Sequence, residues 1–318
     1  MQNSKTGTFS QRTDLADECL ELCFKNRKPD TDGIVSSREK IGDIVCERLE
    51  IKSDEGAVKL GKPMGSYITL NIGKMTLYTC EDFERTVKVC SEKLSELLPR
   101  EGSCLLACLG NRQITADAQG PMCANHFIVS RHIKDNSPSL FSSLMLRETM
   151  CVVPDVLGNT GIEAASIVKG IVDKMKPSFV IAVDSLAARK TSRVGTTLQM
   201  STAGIAPGSG VGNHRTALNF RNLGVPVISI GIPTVVDAAT VGADILEEAF
   251  DNPEFVSLSR KQKSDILSSV LKTGNYGYFV TPKNADVISK SAARLIGFTI
   301  NKALNPDLEF AEIEELTG

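Results

Sequence analysis

Two short apolar runs decide the fold: CLLACLGN at 104–111 and FVIAVDS at 179–185. Each run is uncharged over its first five residues, which is typical of parallel strands covered on both faces. An amphipathic helical pattern at 81–98 precedes the first run, and another at 160–175 lies between the two. A third apolar run follows at Val225–Ile230. This alternation predicts an α/β fold, a three-layer α/β/α sandwich around a mostly parallel open sheet.

A small β-hairpin extension is expected beside this sheet. Ser66–Ile72 alternates apolar and polar residues, and Met75–Tyr78 follows after Gly73. Two short β-prone runs joined through a glycine are typical of a hairpin. The long pattern at Ala285–Leu304 predicts a C-terminal helix.

Composition excludes several classes of protein. The 318 residues include 36 Lys plus Arg and 38 Asp plus Glu, a net charge of −2, and 42% are hydrophobic. This apolar content argues against disorder, and the near-neutral charge provides no field for direct nucleic-acid binding. No apolar run approaches the ~20 residues that span a membrane. The polar N-terminus does not resemble a secretory signal, so the nine cysteines are expected to be reduced thiols in a cytoplasmic protein.

Two acids follow the two decisive strands. Asp117 lies in the GNRQITAD loop after the first strand, and Asp184 directly follows the second. Ligands of open α/β sheets bind outside the carboxyl ends of the strands, so the topology predicts that both acids share one edge. One carboxylate of such a pair activates water as a base while the other stays protonated and donates a proton. The alternative is structural: Asp117 as a helix N-cap and Asp184 as a turn residue.

A second candidate region is the stretch 194–236, whose only charged residues are Arg215 and Arg221. Its glycine-rich part, 203–215, fits neither a P-loop nor a dinucleotide fingerprint. Such a loop is able to approach a peptide backbone closely, and the alternative is a surface loop. His214 either contacts substrate or caps a turn.

Other catalytic arrangements have weaker support. Ser185, His214 and Asp237 form a triad on paper, but no GxSxG elbow accompanies them. Cys151 is similarly unsupported as a nucleophile. The cysteine and histidine spacings do not form a zinc motif.

The longest motifs resemble those of a known family. GNRQITADAQGP (110–121), FVIAVDSLAARKTSRVGTTLQMSTAGIAPGSGVGNHR (179–215) and GVPVISIGIPTVVDA (224–238) are similar to the germination proteases of spore-forming bacteria. The resemblance implies an aspartic-type endopeptidase whose catalytic residues are Asp117 and Asp184, without a cofactor. It also implies a fold like that of the hydrogenase-maturation peptidases, which bind a metal through a further histidine that has no clear counterpart here.

The same resemblance implies biology. Members of the family degrade small acid-soluble spore proteins at germination, inside the spore core, and assemble as homotetramers. They are made as zymogens that cleave themselves after an acid and before a hydrophobic residue followed by Ala. Asp14, Leu15 and Ala16 match that order, so residues 1–14 are interpreted as a propeptide and 15–318 as a single peptidase domain. Gln11 departs from the acid that the family prefers three residues earlier.

A preference for acidic substrate implies basic and loop residues that bind it. The candidates are Arg189, Arg193, Gly208, Gly210, His214 and Arg215. Two alternatives to this function stay open: a metal-dependent peptidase that uses the same two aspartates as ligands, and a noncatalytic α/β binding protein.

Overall fold

A computed structural model describes residues 13–24, 33–209, 215–250, 259, 261–263, 265, 266, 269 and 278–317. Its helices are α1 Ala16–Phe24, α2 Asp54–Leu60, α3 Cys80–Ser95, α4 Gln119–Cys123, α5 Arg131–Asn136, α6 Pro138–Leu144, α7 Leu157–Thr160, α8 Ala164–Met175, α9 Phe220–Leu223, α10 Ala238–Phe250, α11 Ala285–Leu304 and α12 Phe310–Thr317. Its strands are β1 Ile34–Ile41, β2 Ile44–Ile51, β3 Gly65–Asn71, β4 Cys104–Cys108, β5 Thr149–Val152, β6 Phe179–Val183, β7 Leu186–Ala188, β8 Thr197–Ser201, β9 Val227–Gly231, β10 Pro233–Asp237 and β11 Phe279–Val280.

The main sheet is mixed. Eight strands run in the order β1-β2-β3-β8-β9-β6-β4-β5. The four strands at the β5 end, from β9 to β5, are parallel, and the neighbours from β1 to β9 are antiparallel. The parallel half contains the two runs that decide the fold, with Cys104 opposite Phe179 and Cys108 opposite Val183. Their carboxyl ends therefore meet at one edge.

Helices cover both faces of the parallel strands. Side chains alternate along each strand, so Leu106 and Ile181 pack in the core that includes α3 and α11, while Leu105 and Val180 pack in the core that includes α8 and α9. All four side chains are at most 1% exposed. The α/β class with helices on both sides of the sheet is confirmed.

The expected hairpin between Ser66–Ile72 and Met75–Tyr78 is wrong. Residues 75–77 form a 3-10 turn, because Thr79 and Asp82 make a capping box that starts α3 at once and leaves no room for a strand. The antiparallel extension is instead the meander β1-β2-β3. Strand β1 is largely exposed and carries VSSREK, so it lacks the apolar alternation that predicts a strand.

A second, three-stranded sheet lies next to the carboxyl ends of the parallel strands. Its order is β11-β10-β7, with β7 and β10 parallel. Strand β7 starts two residues after Asp184. The N-terminal segment Thr13–Ala16 lies against it, since the Asp14 N–H donates to the Ala187 carbonyl at 2.8 Å.

The helices in the rest of the chain agree with the sequence pattern only in part. Helix α11 has the predicted bounds. The stretch after Asp117 forms short pieces: α4, a 3-10 turn at Ala124–His126 and α5. Most of 257–272, residues 1–12, Gly210 and His214 lie outside the described residues. Among the described helices, none is long and apolar enough to cross a bilayer.

Candidate active site

Asp117 is held at the end of β4 by a loop that folds back on itself. The N–H of Asn111 donates to both the carbonyl and the Oδ2 of Asp117, at 2.9 and 3.0 Å. Gly110 makes this possible, because it has a φ of +114° and a Cβ there would lie 2.1 Å from the Asp117 carbonyl oxygen. The carboxylate thus accepts a bond from its own loop and does not cap α4, whose N-cap, Ala118, makes no side-chain hydrogen bond.

Asp184 is almost fully buried, at 4% exposure, where β6 passes into β7. Its carboxylate Oδ1 accepts from the N–H of Ser185 at 2.9 Å. Its main chain is fixed by Gln119, whose Nε2 donates to the Asp184 carbonyl at 3.0 Å. Gly231 packs against the same carbonyl so closely that a Cβ would lie 2.2 Å away.

Both aspartates line one cavity of about 320 Å³. Its walls are mainly apolar and include Ile114 and Leu157, and its rim carries Arg215. Three further acids line the cavity: Asp155, Glu163 and, from the N-terminal segment, Asp14. The fold therefore brings together two acids that lie 67 positions apart in the chain, as the sequence analysis expects.

The pKa values of the two carboxyl groups are both raised, but the causes differ. Burial raises the pKa of Asp117 to about 6, against which the N–H of Asn111 acts. The pKa of Asp184 is raised well above its ordinary value by burial and then by the negative charges of Asp117 and Asp14. Burial favours the protonated form of both groups, and Asp184 has the neighbouring negative charges as an additional cause, which favours unequal roles for the two carboxyl groups.

Within the part of the chain that the structure describes, the carboxylate of Asp14 is bound by neutral donors. Asp14 Oδ2 accepts from the N–H of Ala187 at 2.9 Å, and Oδ1 accepts from the hydroxyl of Ser209 at 2.8 Å. The next residue, Leu15, is fully buried among the apolar residues Leu186 and Val194 and their neighbours. The segment thus has one polar and one apolar pocket in succession.

The predicted substrate-binding residues are distributed around this segment. Gly208 and Arg215 line the cavity of the two aspartates, where Arg215 pairs with Glu163 at 3.5 Å. Arg193 pairs with the buried Asp17 of α1 at 2.7 Å, and the N–H of Arg189 donates to Glu18. Their role in binding substrate stays a prediction, as does that of Gly210 and His214.

The alternative chemistries are placed as follows. Ser185 lines the cavity, but its triad partner His214 lies outside the described residues. All nine cysteines are free thiols, and Cys151 lies 3.9 Å from Cys108, sulfur to sulfur. Within the described parts of the chain, no three His, Cys, Asp or Glu side chains cluster as metal ligands would.

A family model described as germination protease matches residues 13–251, three quarters of the chain. The chain belongs to the germination protease family. A germination protease of Clostridium acetobutylicum is 38% identical over 96% of this chain and 98% of that protein. One of Caldanaerobacter subterraneus is 38% identical over 96% and 97%, and one of Priestia megaterium is 32% identical over 95% of each.

Membership of a protease family fits a cavity lined by two aspartates whose pKa values are raised by burial. The match starts at residue 13 and so includes the segment that lies against β7. Sequence reasoning missed three residues around this segment: Lys62, Gln199 and Ser209. Ser209 and Gln199 lie within the motif 179–215, but neither was among the candidate site residues, and Lys62 belongs to none of the quoted motifs. The antiparallel half of the sheet brings Lys62 and Gln199 to the segment.

Proposed function

We propose that this chain is a zymogen of an aspartic-type endopeptidase that cleaves small acid-soluble spore proteins after an acid and before a hydrophobic residue followed by Ala. Its catalytic residues are Asp117 and Asp184. It releases its own propeptide, residues 1–14, by cleaving between Asp14 and Leu15. The observation that carries the proposal is the cavity in which Asp14 lies with both aspartates.

In the proposed mechanism, Asp117 acts as the base and Asp184 as the acid. The Asp117 carboxylate takes a proton from water, and the water oxygen bonds to the carbonyl carbon of the acidic residue. The carbonyl oxygen becomes negative. When it re-forms the double bond, the C–N bond breaks and the leaving nitrogen takes the proton of Asp184. The proton on Asp117 then passes to Asp184, and the pair is reset.

The acidic residue before the cut also contributes to this division of roles. Its stand-in here, Asp14, is one of the charges that raise the pKa of Asp184. An acid at this position favours the protonated form of Asp184, the form that donates to the leaving nitrogen. The preference for acid is thus explained by its effect on the catalytic pair as well as by its hydrogen bonds to Ala187 and Ser209.

Inhibition of the zymogen follows from the position of its own N-terminal segment. Residues 13–16 lie where an acid–apolar–Ala substrate is to bind. Helix α1 then holds the segment down, because Asp17 pairs with Arg193 and Glu21 pairs with Lys190. The propeptide therefore inhibits by covering the site, and basic residues predicted to bind substrate are engaged by acids of α1.

The wider setting is proposed from the family. The substrates are small acid-soluble spore proteins, the compartment is the cytoplasm of the forespore and the spore core, and the assembly is a homotetramer. No cofactor is invoked, and neither nucleic acid nor membrane is a direct partner.

The test is hydrolysis of a peptide with an acid–apolar–Ala sequence by the wild type and by Asp117→Asn and Asp184→Asn. Loss of cleavage in both folded variants supports the catalytic pair, and full activity in both refutes it. Dialysis of the wild type against a chelator separates the metal-dependent alternative, because activity that survives with no metal by elemental analysis contradicts it. If the folded wild type cleaves neither the peptide nor itself, the result supports the alternative of a noncatalytic binding protein.

A further inference from the structure

The main chain of the segment Thr13–Ala16 is bound by a side chain of the sheet. Gln199 lies on β8 and is 7% exposed. Its Nε2 donates to the Asp14 carbonyl at 2.9 Å, and its Oε1 accepts from the Ala16 N–H at 2.7 Å. One amide thus holds the carbonyl before Leu15 and the N–H after it. Both hydrogen bonds are made to main-chain atoms, so they do not depend on which side chains the bound segment carries.

A cation reaches the same carbonyl oxygen. Lys62 follows the C-cap of α2, and its Nζ donates to the Asp14 carbonyl at 3.0 Å and to the Thr13 carbonyl at 3.1 Å. The Asp14 carbonyl therefore accepts from two side chains, one of them charged. Asp14, Lys62 and Gln199 all line a second cavity of about 490 Å³, and Asp14 also lines the cavity of the two aspartates.

Two fixed donors on a carbonyl oxygen are the arrangement that stabilises negative charge as water attacks the carbon. We propose that Lys62 and Gln199 are catalytic residues that bind the carbonyl oxygen of the bond to be cleaved, with Gln199 also aligning the two residues after the cut. The inference rests on the proposed function, since it takes the Asp14–Leu15 bond as the one that is cleaved.

The step assigned to them is the first of the reaction. As the water oxygen bonds to the Asp14 carbon and its proton goes to Asp117, the carbonyl electron pair moves onto the oxygen. Lys62 Nζ and Gln199 Nε2 stay protonated and stabilise that charge by hydrogen bonds. The proposed step has water approach from the cavity of the aspartates, while Lys62 and Gln199 of the second cavity hold the oxygen.

The experiment measures the first-order rate of self-cleavage by intact mass in the full chain. Lys62→Met and Gln199→Met each remove one donor to the oxygen, and each is expected to slow cleavage by about 100-fold or more. Lys62→Arg keeps a charged donor and restores part of the rate. Lys59→Met is the matched control: Lys59 lies on α2 over the Phe24 ring, so wild-type speed is expected.

The outcomes separate this inference from the proposed function. Wild-type cleavage together with wild-type rates in folded Lys62→Met and Gln199→Met overturns the inference alone. A folded wild type that cleaves neither itself nor peptide overturns the proposed function and the inference with it. Thermal melting identifies a variant that fails to fold, and kcat and KM on an acid–apolar–Ala peptide add a second readout, with the loss expected in kcat.

Discussion

Ionised Asp117 is expected to lower the free energy of unfolding, because its carboxyl group is buried where the charged form is disfavoured. Folding raises its pKa from the ordinary 3.8 to about 6. The folded state then holds the proton more tightly than the unfolded state, so stability falls as pH rises through this range and the loss is complete above pH 6. With about 1.4 kcal/mol for each pKa unit, the cost is about 1 kcal/mol at pH 4.5 and close to 3 kcal/mol at pH 8.

The variant that removes this cost is Asp117→Asn, made in the Asp184→Asn background. Neither chain is expected to cleave itself, so both keep residues 1–14. Their free energies of unfolding are therefore compared for chains of the same length. Asn at position 184 is neutral at every pH, so Asp117 titrates in this background without a second carboxylate at that position. The gain in free energy of unfolding should approach 3 kcal/mol at pH 8 as an upper figure, since the carboxyl is only partly buried.

The assay is urea unfolding of both chains at pH 4.5 and pH 8. The control is Asp43→Asn in the same background, because Asp43 is exposed in the turn between β1 and β2 and should change stability little at either pH. A double variant that is no more stable than its parent at pH 8 refutes the argument that burial drives the pKa of Asp117.

Three further predictions concern catalysis and the N-terminal segment. Cleavage of an acid–apolar–Ala peptide should fall about tenfold per pH unit below pH 6 as Asp117 takes up its proton, and a flat pH profile of kcat/KM from 5 to 7 contradicts this base. Leu15→Ala should destabilise the docked segment by about 2–5 kcal/mol, measured as faster amide hydrogen exchange across α1, whereas Leu20→Ala, at a half-buried site, should cost less. Arg193→Met should cost about 3 kcal/mol or more in urea unfolding because it leaves the buried Asp17 unpaired, and Asp17→Asn added to it should recover much of the loss.

The strands of the parallel half and the position of the two aspartates were predictable from the sequence. The runs at 104–108 and 179–183 are uncharged and buried on both faces, and such strands end at a common edge. The meander was not predictable, because β1 is exposed on most of its length and its residues carry no period. Its hairpin depends on the turn at Gly42, which adopts a φ of +59°.

The residues around the N-terminal segment could not be predicted from the sequence, for a different reason. Lys62 and Gln199 lie 137 positions apart, and only the pairing of β3 with β8 brings their elements together. Basic residues that bind the acid were expected from the substrate preference that the family resemblance implies. The Asp14 carboxylate instead accepts from a main-chain N–H and a hydroxyl, groups that no charge pattern reveals.

The central claim is that Asp117 and Asp184 hydrolyse the bond between Asp14 and Leu15. Intact mass spectrometry of the folded chain, incubated at mildly acidic pH, tests it most directly. The account predicts that the wild type loses residues 1–14 and gains Leu15 as its N-terminus, while Asp117→Asn and Asp184→Asn stay whole. Cleavage that persists at this bond in either folded variant, or a wild type that is cut at another bond, contradicts it.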